Sequence, residues 1–366
     1  MNFFSFKATS DDDLYKNLPP LFQAAIDGDY RKLETLTSRG EDLSQKIPSC
    51  ILAKIPFNTR TFLEGSSLLH IAAGEGKIES VSYLLELKQN VNTINLHKYT
   101  PMHLAALMGH INVISLLALN NADVNAKCSL NETSLHCTLQ SRITNKYETV
   151  KCLLDKKADP NIQNWSQRTP LFYVDDPQIL TMLVNRGANL LIVDQEKYTP
   201  VYYYIVQKNS LPLLNAALNV VGVNALIDLK TSSTSLLVAA GLGNIDFCKH
   251  LIQLGANILV QNRYGQSLFH LLAKNGNVEG LKEMNKFIRS ASNGASSYIK
   301  SMQLLDQQGN TPLHLAVYAG KMQMVEFFLK DIALPFDTNQ KDNQGQTALD
   351  IAVKLKNKEM IKLFAK

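Results

Sequence analysis

Tryptophan is nearly missing from this chain, with one in 366 residues, and the five cysteines contain no CxxC pair. That cysteine pattern leaves no paired Cys/His zinc spacing and no dense disulfide frame; unpaired thiols in a reducing compartment are expected. No stretch approaches 18 uninterrupted apolar residues, so no membrane span is expected. The start, Met1 to Lys7, is apolar for only a few residues before Asp11, Asp12 and Asp13, which does not read as a secretory signal. Charge of one sign is scarce as well. The net value of +5 is spread thinly, without runs of five or six lysines or arginines, and no basic stripe with stacking aromatics points to nucleic acid. No HExxH, phosphate loop or GxSxG occurs, so no metal, cofactor or nucleotide site is expected.

Repetition is what the chain has in quantity. Thr100-Pro101-Met102-His103-Leu104-Ala105 and Thr311-Pro312-Leu313-His314-Leu315-Ala316 are two copies of one phrase. Looser copies begin at Ser67, Thr133 and Ser267, with His70, His136 and His270 in register, and degenerate ones at Thr169, Thr199, Thr234 and Thr347. Successive starts lie 33, 33, 36, 30, 35, 33, 44 and 36 residues apart. Each opens on Ser, Thr or Thr-Pro, which suits a helix N-terminus: the hydroxyl takes an orphan amide and proline at the first position sacrifices no hydrogen bond. A glycine or polar turn follows, for example Gly74-Glu75-Gly76 or Met108-Gly109-His110. A second apolar run at helical spacing comes next, such as Val81, Leu84 and Leu85 or Val150, Leu153 and Leu154. Segments such as Asn121-Ala122-Asp123 and Lys157-Ala158-Asp159 then stop the helix.

A period near 33 carrying T-P-L-H-x-A resembles the ankyrin repeat, over nearly the whole chain. The resemblance implies an all-α fold, an α-solenoid of about ten helix-turn-helix units with short β-hairpin fingers. One pair cannot bury its apolar face alone, so stacking makes the core and polar caps close the ends. We read residues 1–17 as an N-terminal extension and 18–366 as a single array. Within it lie an N-cap at 18–43, an insertion at 44–64, repeats starting near 65, 98, 131, 167, 197, 232, 265 and 309, and a C-cap at 345–366, so that the array is expected to be complete at both ends.

Five of the eight histidines fill the same slot of the phrase, and the resemblance gives that imidazole the structural task of tying its unit to the next loop. His136-Cys137 is the one neighbouring pair that suggests a thiol nucleophile, but Cys137 stands where Leu104 and Leu315 stand, at a packing position. Nucleophilic chemistry needs a converging base and orienting group, so no catalytic residue is expected. His110 falls in an inter-helix turn, His250 on a second helix, and His97 in a finger as the one free imidazole. Asp175-Asp176 reads as a helix-capping loop before Pro177.

The expected function is a non-catalytic scaffold that holds another protein on a concave surface of fingers and first helices, with the chain a monomer in the cytoplasm, off the membrane. Positions the fold leaves free there are Leu96, His97, Tyr99, Leu107, Met108, Leu130, Trp165, Arg168, Tyr198 and Tyr264, rich in the residue types that dominate interface centres. Trp165, at a finger tip, is either the first anchor or local packing over Pro160. Of Tyr202, Tyr203 and Tyr204, at least one must face the core. The irregular units and the Asn-, Lys- and Ile-leaning composition resemble ankyrin proteins that intracellular bacteria deliver into host cells, which would place this one in host cytosol.

Departures from regularity mark further candidates. The unit at Thr169 is about three residues short, so its first helix should be curtailed, leaving a notch beside Trp165. Ser44 to Phe62 is an insertion, and Ser290 to Ser301 reads as an exposed loop that enlarges its unit. An enzyme with its site in these two atypical segments is the alternative function. Asn92, Asn125 and Asn161 each follow a leucine by eight positions, similar to ankyrin asparagines that are hydroxylated, although a structural role as turn asparagines is the favoured reading.

Overall fold

The computed structural model describes residues 15–48, 62–290, 294–330 and 337–365, the side chains of 294–297 apart. Its chain divides into two compact units, residues 1–192 and 193–366. In the first, helix pairs follow one another: α1 (Pro20–Asp27) and α2 (Tyr30–Ser38), α3 (Leu68–Gly74) and α4 (Ile78–Glu86), α5 (Pro101–Met108) and α6 (Ile111–Leu119), α7 (Ser134–Gln140) and α8 (Lys146–Asp155). A single 3₁₀ turn at Pro170–Tyr173 then stands in for the first member before α9 (Pro177–Asn185), the curtailment expected of that short unit. First members pack on first members and second members on second, giving two layers.

The second unit repeats the plan with α10 (Pro200–Val206) and α11 (Leu211–Val221), then α12 (Ser235–Leu242) and α13 (Ile245–Gln253), α14 (Leu268–Asn275) and α15 (Val278–Ser290). An extra helix, α16 (Gly294–Gln303), follows, and then α17 (Pro312–Tyr318) with α18 (Met322–Lys330) and α19 (Ala348–Lys354) with α20 (Lys358–Phe364). The sole sheet among the described residues is a two-stranded antiparallel finger, β1 (Leu226–Asp228) with β2 (Ser233–Thr234). Helix α16 corrects the expectation of a loop at Ser290 to Ser301. Tyr298 and Met302, four residues apart, form one apolar stripe, and the Tyr298 ring meets Phe269 edge-on at 5.4 Å. Residues 49–61 of the other insertion lie outside the described residues; at its edges Ile47 and Leu63 are buried.

Why the first helices start where they do is visible at Thr100. Its backbone is extended (φ −99°, ψ 166°), its hydroxyl accepts from the His103 amide at 3.4 Å, and Pro101 occupies the first helical position. Alanines such as Ala72, Ala73, Ala105 and Ala106 are fully buried on these helices and let neighbouring rows approach closely.

The five motif histidines join one unit to the next. In each, Nδ1 receives the backbone N–H of the capping Ser or Thr at 3.1–3.2 Å, which puts the proton on Nε2. Nε2 then donates to a carbonyl of the following finger: Tyr99 at 2.8 Å, Glu132 at 3.1 Å, Arg168 at 3.1 Å, Asn310 at 2.9 Å and Gln346 at 3.2 Å. Burial pushes the imidazoles down, to about 3 at His70 and about 4 at His103 and His136. They are therefore neutral wherever the fold is stable. Where the phrase lacks histidine, at Phe172 and Leu237, the Thr169 and Thr234 hydroxyls are buried without a hydrogen-bond partner. At Tyr202 the Thr199 hydroxyl turns instead to the Ile227 carbonyl at 3.1 Å.

Six fingers close on a buried Asn or Asp. The Asn95 side-chain oxygen accepts the amides of His97 at 3.0 Å and Tyr99 at 2.9 Å, while Lys98 donates to the Asn95 carbonyl. Asn164, Asp194, Asn262, Asp306 and Asp342 repeat this pattern. The turn requires a left-handed residue. Gly265, Gly309 and Gly345 supply it in some fingers, but Lys98 (φ 58°) and Lys197 (φ 69°) are forced into it in others. Asn92, Asn125 and Asn161 act at the opposite turns: the Asn92 side chain donates to the Asn121 carbonyl at 3.3 Å and accepts the Asp123 amide at 2.8 Å, and the other two repeat the clamp.

Three outcomes test this frame. Left-handed backbone costs a non-glycine residue about 1–2 kcal/mol, partly offset by the flexibility glycine adds to the unfolded chain, so Lys98→Gly should raise stability by about 0.5–1 kcal/mol in urea unfolding, while Lys98→Ala should not. His103→Leu strands the Thr100 cap and the Glu132 carbonyl and should cost about 2–4 kcal/mol in the same assay. An imidazole held below its unfolded value near 6.5 binds a proton more readily in the unfolded chain. Its contribution is therefore complete above pH 6.5 and shrinks as pH falls toward the folded value. With His70, His103 and His136 together, unfolding free energy of the first unit should drop by up to about 4 kcal/mol per pH unit between pH 6 and 4.5, and less steeply in His103→Leu.

Candidate functional site

The neutral, doubly bonded imidazoles leave little for chemistry. His136 is pushed down to about 4 by burial, while burial drives the adjacent Cys137 thiol well above its ordinary value. A thiolate–imidazolium pair would need the opposite shifts, and both His136 nitrogens are already engaged, by Thr133 and the Arg168 carbonyl. Cys128, Cys137 and Cys248 are buried and unpaired. Among the described residues no group of three His, Cys, Asp or Glu is placed to hold a metal ion, and no helix is long and apolar enough to cross a membrane. His97, expected to be free, has its Nε2 3.2 Å from Glu64. His110 and His250 bond the Gly74 carbonyl and the Asn215 side chain.

The finger tips present a different chemistry. In the first unit the tips are tied edge to edge: the Leu96 amide donates to the Glu64 carbonyl at 3.0 Å, Ser129 to His97 at 2.9 Å and Trp165 to Leu130 at 3.0 Å. One amide of each tip is thus tied to the preceding finger, that of Leu96, Ser129 or Trp165, and the side chains of Leu96, Leu130 and Trp165 are turned out. Leu96 is 69% exposed, Leu130 54% and Trp165 67%. Three large apolar side chains on successive tied fingers thus lie in water. Leu107 and Met108, at the end of α5, are half-buried. Arg168 is half-buried too, its guanidinium over the Phe172 ring at 5.9 Å.

Tyr99 departs from the expectation. It is only 7% exposed, its ring 4.9 Å from Phe62 and edge-on to His103 at 5.7 Å, and burial pushes its hydroxyl pKa up. It is a packing residue beneath the finger. Nothing in its own repeat announces this, because Phe62 comes from the atypical insertion. Glu132 is likewise turned inward, accepting from the Gln140 and Asn164 side chains.

In the second unit Tyr198 is half-buried and stacks face to face on Tyr202 at 3.9 Å, with Tyr203 and Tyr204 in the core. Tyr264 is half exposed at its tip. The other tips there are mixed: Leu229 is 44% exposed, Gln195, Gln307, Gln308 and Gln344 are polar, and Lys230 is paired to Glu196 at 3.6 Å. The sequence reading missed the exposed Ile94, just before the first apolar tip, and the Asn/Asp series that closes the fingers. The latter signal was available: an Asn or Asp five residues before the capping Ser or Thr recurs at Asn95, Asn164, Asp194, Asn262, Asp306 and Asp342. Beside the curtailed unit, a shallow hollow of about 490 Å³ opens between the outer helices α8 and α9, lined by Tyr147, Met182 and Arg186 among others.

Residues 21–128 match a family model described as ankyrin repeats (3 copies), and residues 301–352 one described as ankyrin repeats (many copies). The chain is 26% identical over 306 residues to the NAD-dependent deacetylase sir2B of Dictyostelium discoideum, covering 77% of this chain and 36% of that protein. It is 25% identical to the B-cell lymphoma 3 protein homolog of Mus musculus, covering 57% of this chain and 48% of that protein. Over a shorter stretch of 80 residues it is 41% identical to a putative E3 ubiquitin-protein ligase of Arabidopsis thaliana, XBAT31, with 22% and 18% covered. The chain spans less than half the length of each of these relatives. With both stretches matched and one helix pair, finger and histidine clamp recurring through the units, the chain belongs to the ankyrin-repeat family.

Proposed function

We propose that this chain is a non-catalytic scaffold that grips a partner protein on the fingers and first-helix ends of its first unit. Ankyrin repeats are protein-interaction modules, and the observation that carries the finer reading is the row Leu96, Leu130 and Trp165: bulky, exposed, and held on a backbone tied to the neighbouring finger. Such tips give up little conformational freedom on binding, because the ladder has fixed them beforehand. Leu107, Met108 and Arg168 flank the row as secondary contacts. Tyr198 and Tyr264 contribute through the second unit, independently of it. The buried unpaired thiols fit a reducing compartment, so the working place in this reading is the cytosol, and a host cytosol if the chain is a delivered effector.

An anchor of this kind concentrates affinity in few residues. With a partner in hand, Leu130→Ala and Trp165→Ala together should weaken binding by several kcal/mol, roughly a hundredfold or more, in calorimetry, with unfolding curves unchanged because both side chains face solvent. Affinity within a few-fold of the parent would remove the row from the interface.

A further inference from the structure

The charges around the apolar row are sorted by sign. The nearby acids are turned inward or engaged: Glu132 is buried and accepts two side-chain amides, Glu64 sits against His97, and Asp175 pairs with Lys146. The lysines face out, while Arg168 lies partly over Phe172. Lys98 follows Leu96 by two residues, Lys127 precedes Leu130 by three, and Arg168 follows Trp165 by three; Lys98 and Lys127 are exposed and Arg168 half-exposed. In the second unit Lys197 and Arg263 are exposed too, but an exposed acid, Glu196, stands among them and pairs with Lys230.

Resting on the reading above, we propose that the finger row of the first unit takes an acidic, extended polypeptide segment punctuated by bulky apolar residues. The row runs from finger to finger along the backbone ladder, which suits a segment laid along it. Its apolar tips call for Leu-, Ile- or Phe-like side chains, and the cation beside each tip calls for Asp or Glu between them. A single exposed charge pair contributes little. Three of one sign along a strip act instead on partner choice and encounter rate, raising the on-rate for an acidic segment and repelling a basic one. The apolar tips supply the affinity and the cations decide what receives it.

The test is selection of displayed random linear peptides on the full chain. Enriched clones should carry more Asp and Glu than the starting library, interspersed with large apolar residues. Peptides synthesised from them should bind more weakly as salt rises, and roughly tenfold or more weakly to the Lys98→Glu/Lys127→Glu variant, whose unfolding curve should match the parent because both lysines are exposed. Neutral or basic enriched clones, or affinity for that variant within about twofold of the parent, overturn the acidic partner. If such clones still lose binding on Leu130→Ala/Trp165→Ala, the finger reading survives without the charge preference. Clones indifferent to both variants, or no enrichment at all, count against both.

Discussion

Five of the repeats here depend on a neutral imidazole taken out of water and given three partners. A buried histidine with one nitrogen unpaired would cost as much as it contributes. In this fold both nitrogens are used, the first inward to the cap of its own helix and the second outward to the next finger, so one side chain fixes a helix start and a unit-to-unit register at once. Desolvation keeps the ring neutral, and the Thr100 amide on Nδ1 selects the tautomer that can do both. The cost of going without is visible in the same chain, where Phe172 and Leu237 replace the ring and leave threonine hydroxyls stranded. Those two units, with the one carrying Tyr202 between them, are consecutive, and the division between the compact units at 192–193 falls within that stretch.

The second constraint is the finger. Its Asn or Asp oxygen collects two amides of a five-residue turn, and the outer amide goes to the preceding finger. Cys128 shows what the position tolerates. It occupies the Asn95 slot of its finger, donating its amide to the Glu132 carbonyl at 2.9 Å and accepting the Asn131 amide at 2.9 Å, so the backbone turn survives without the carboxamide. Burial raises the Cys128 thiol while the amides of Leu130 and Glu132 oppose that shift, which puts the sulfur where the side-chain oxygen would sit.

Helix starts, the histidine file, the ten pairs and the short unit at Thr169 were all legible, because each is fixed by residues within one repeat: a capping hydroxyl, a proline, an apolar stripe, a missing turn of sequence. What escaped was set across repeats or by insertions. Tyr99 looks exposed within its own phrase and is buried by Phe62, thirty-seven residues earlier and outside the pattern. Helix α16 looks like a serine-rich loop until Tyr298 finds Phe269. His97 looks free until Glu64 of the preceding finger reaches it. Among the candidate anchors, Leu96 and Trp165 occupy the same turn position, one residue after the closing Asn, so periodicity aligns them, whereas Leu130 lies one position further along its finger, after Ser129.

That alignment explains how a surface can vary on a frame that does not. Within one finger, the closing Asn95 and the tip Leu96 are neighbours in sequence, yet one is buried and the other is the most exposed of the three apolar tips. The frame uses the side chain of the first and only the backbone of the second, through the Leu96 amide and the Glu64 carbonyl. A tip can therefore become Gln307 in one finger and Trp165 in another with the ladder unchanged, since Gln307 donates to the Tyr264 carbonyl at 3.0 Å as Trp165 does to Leu130. The ladder thus fixes the main chain of a tip and leaves its side-chain type open, which is how Leu96 and Gln307 come to serve one position of one frame.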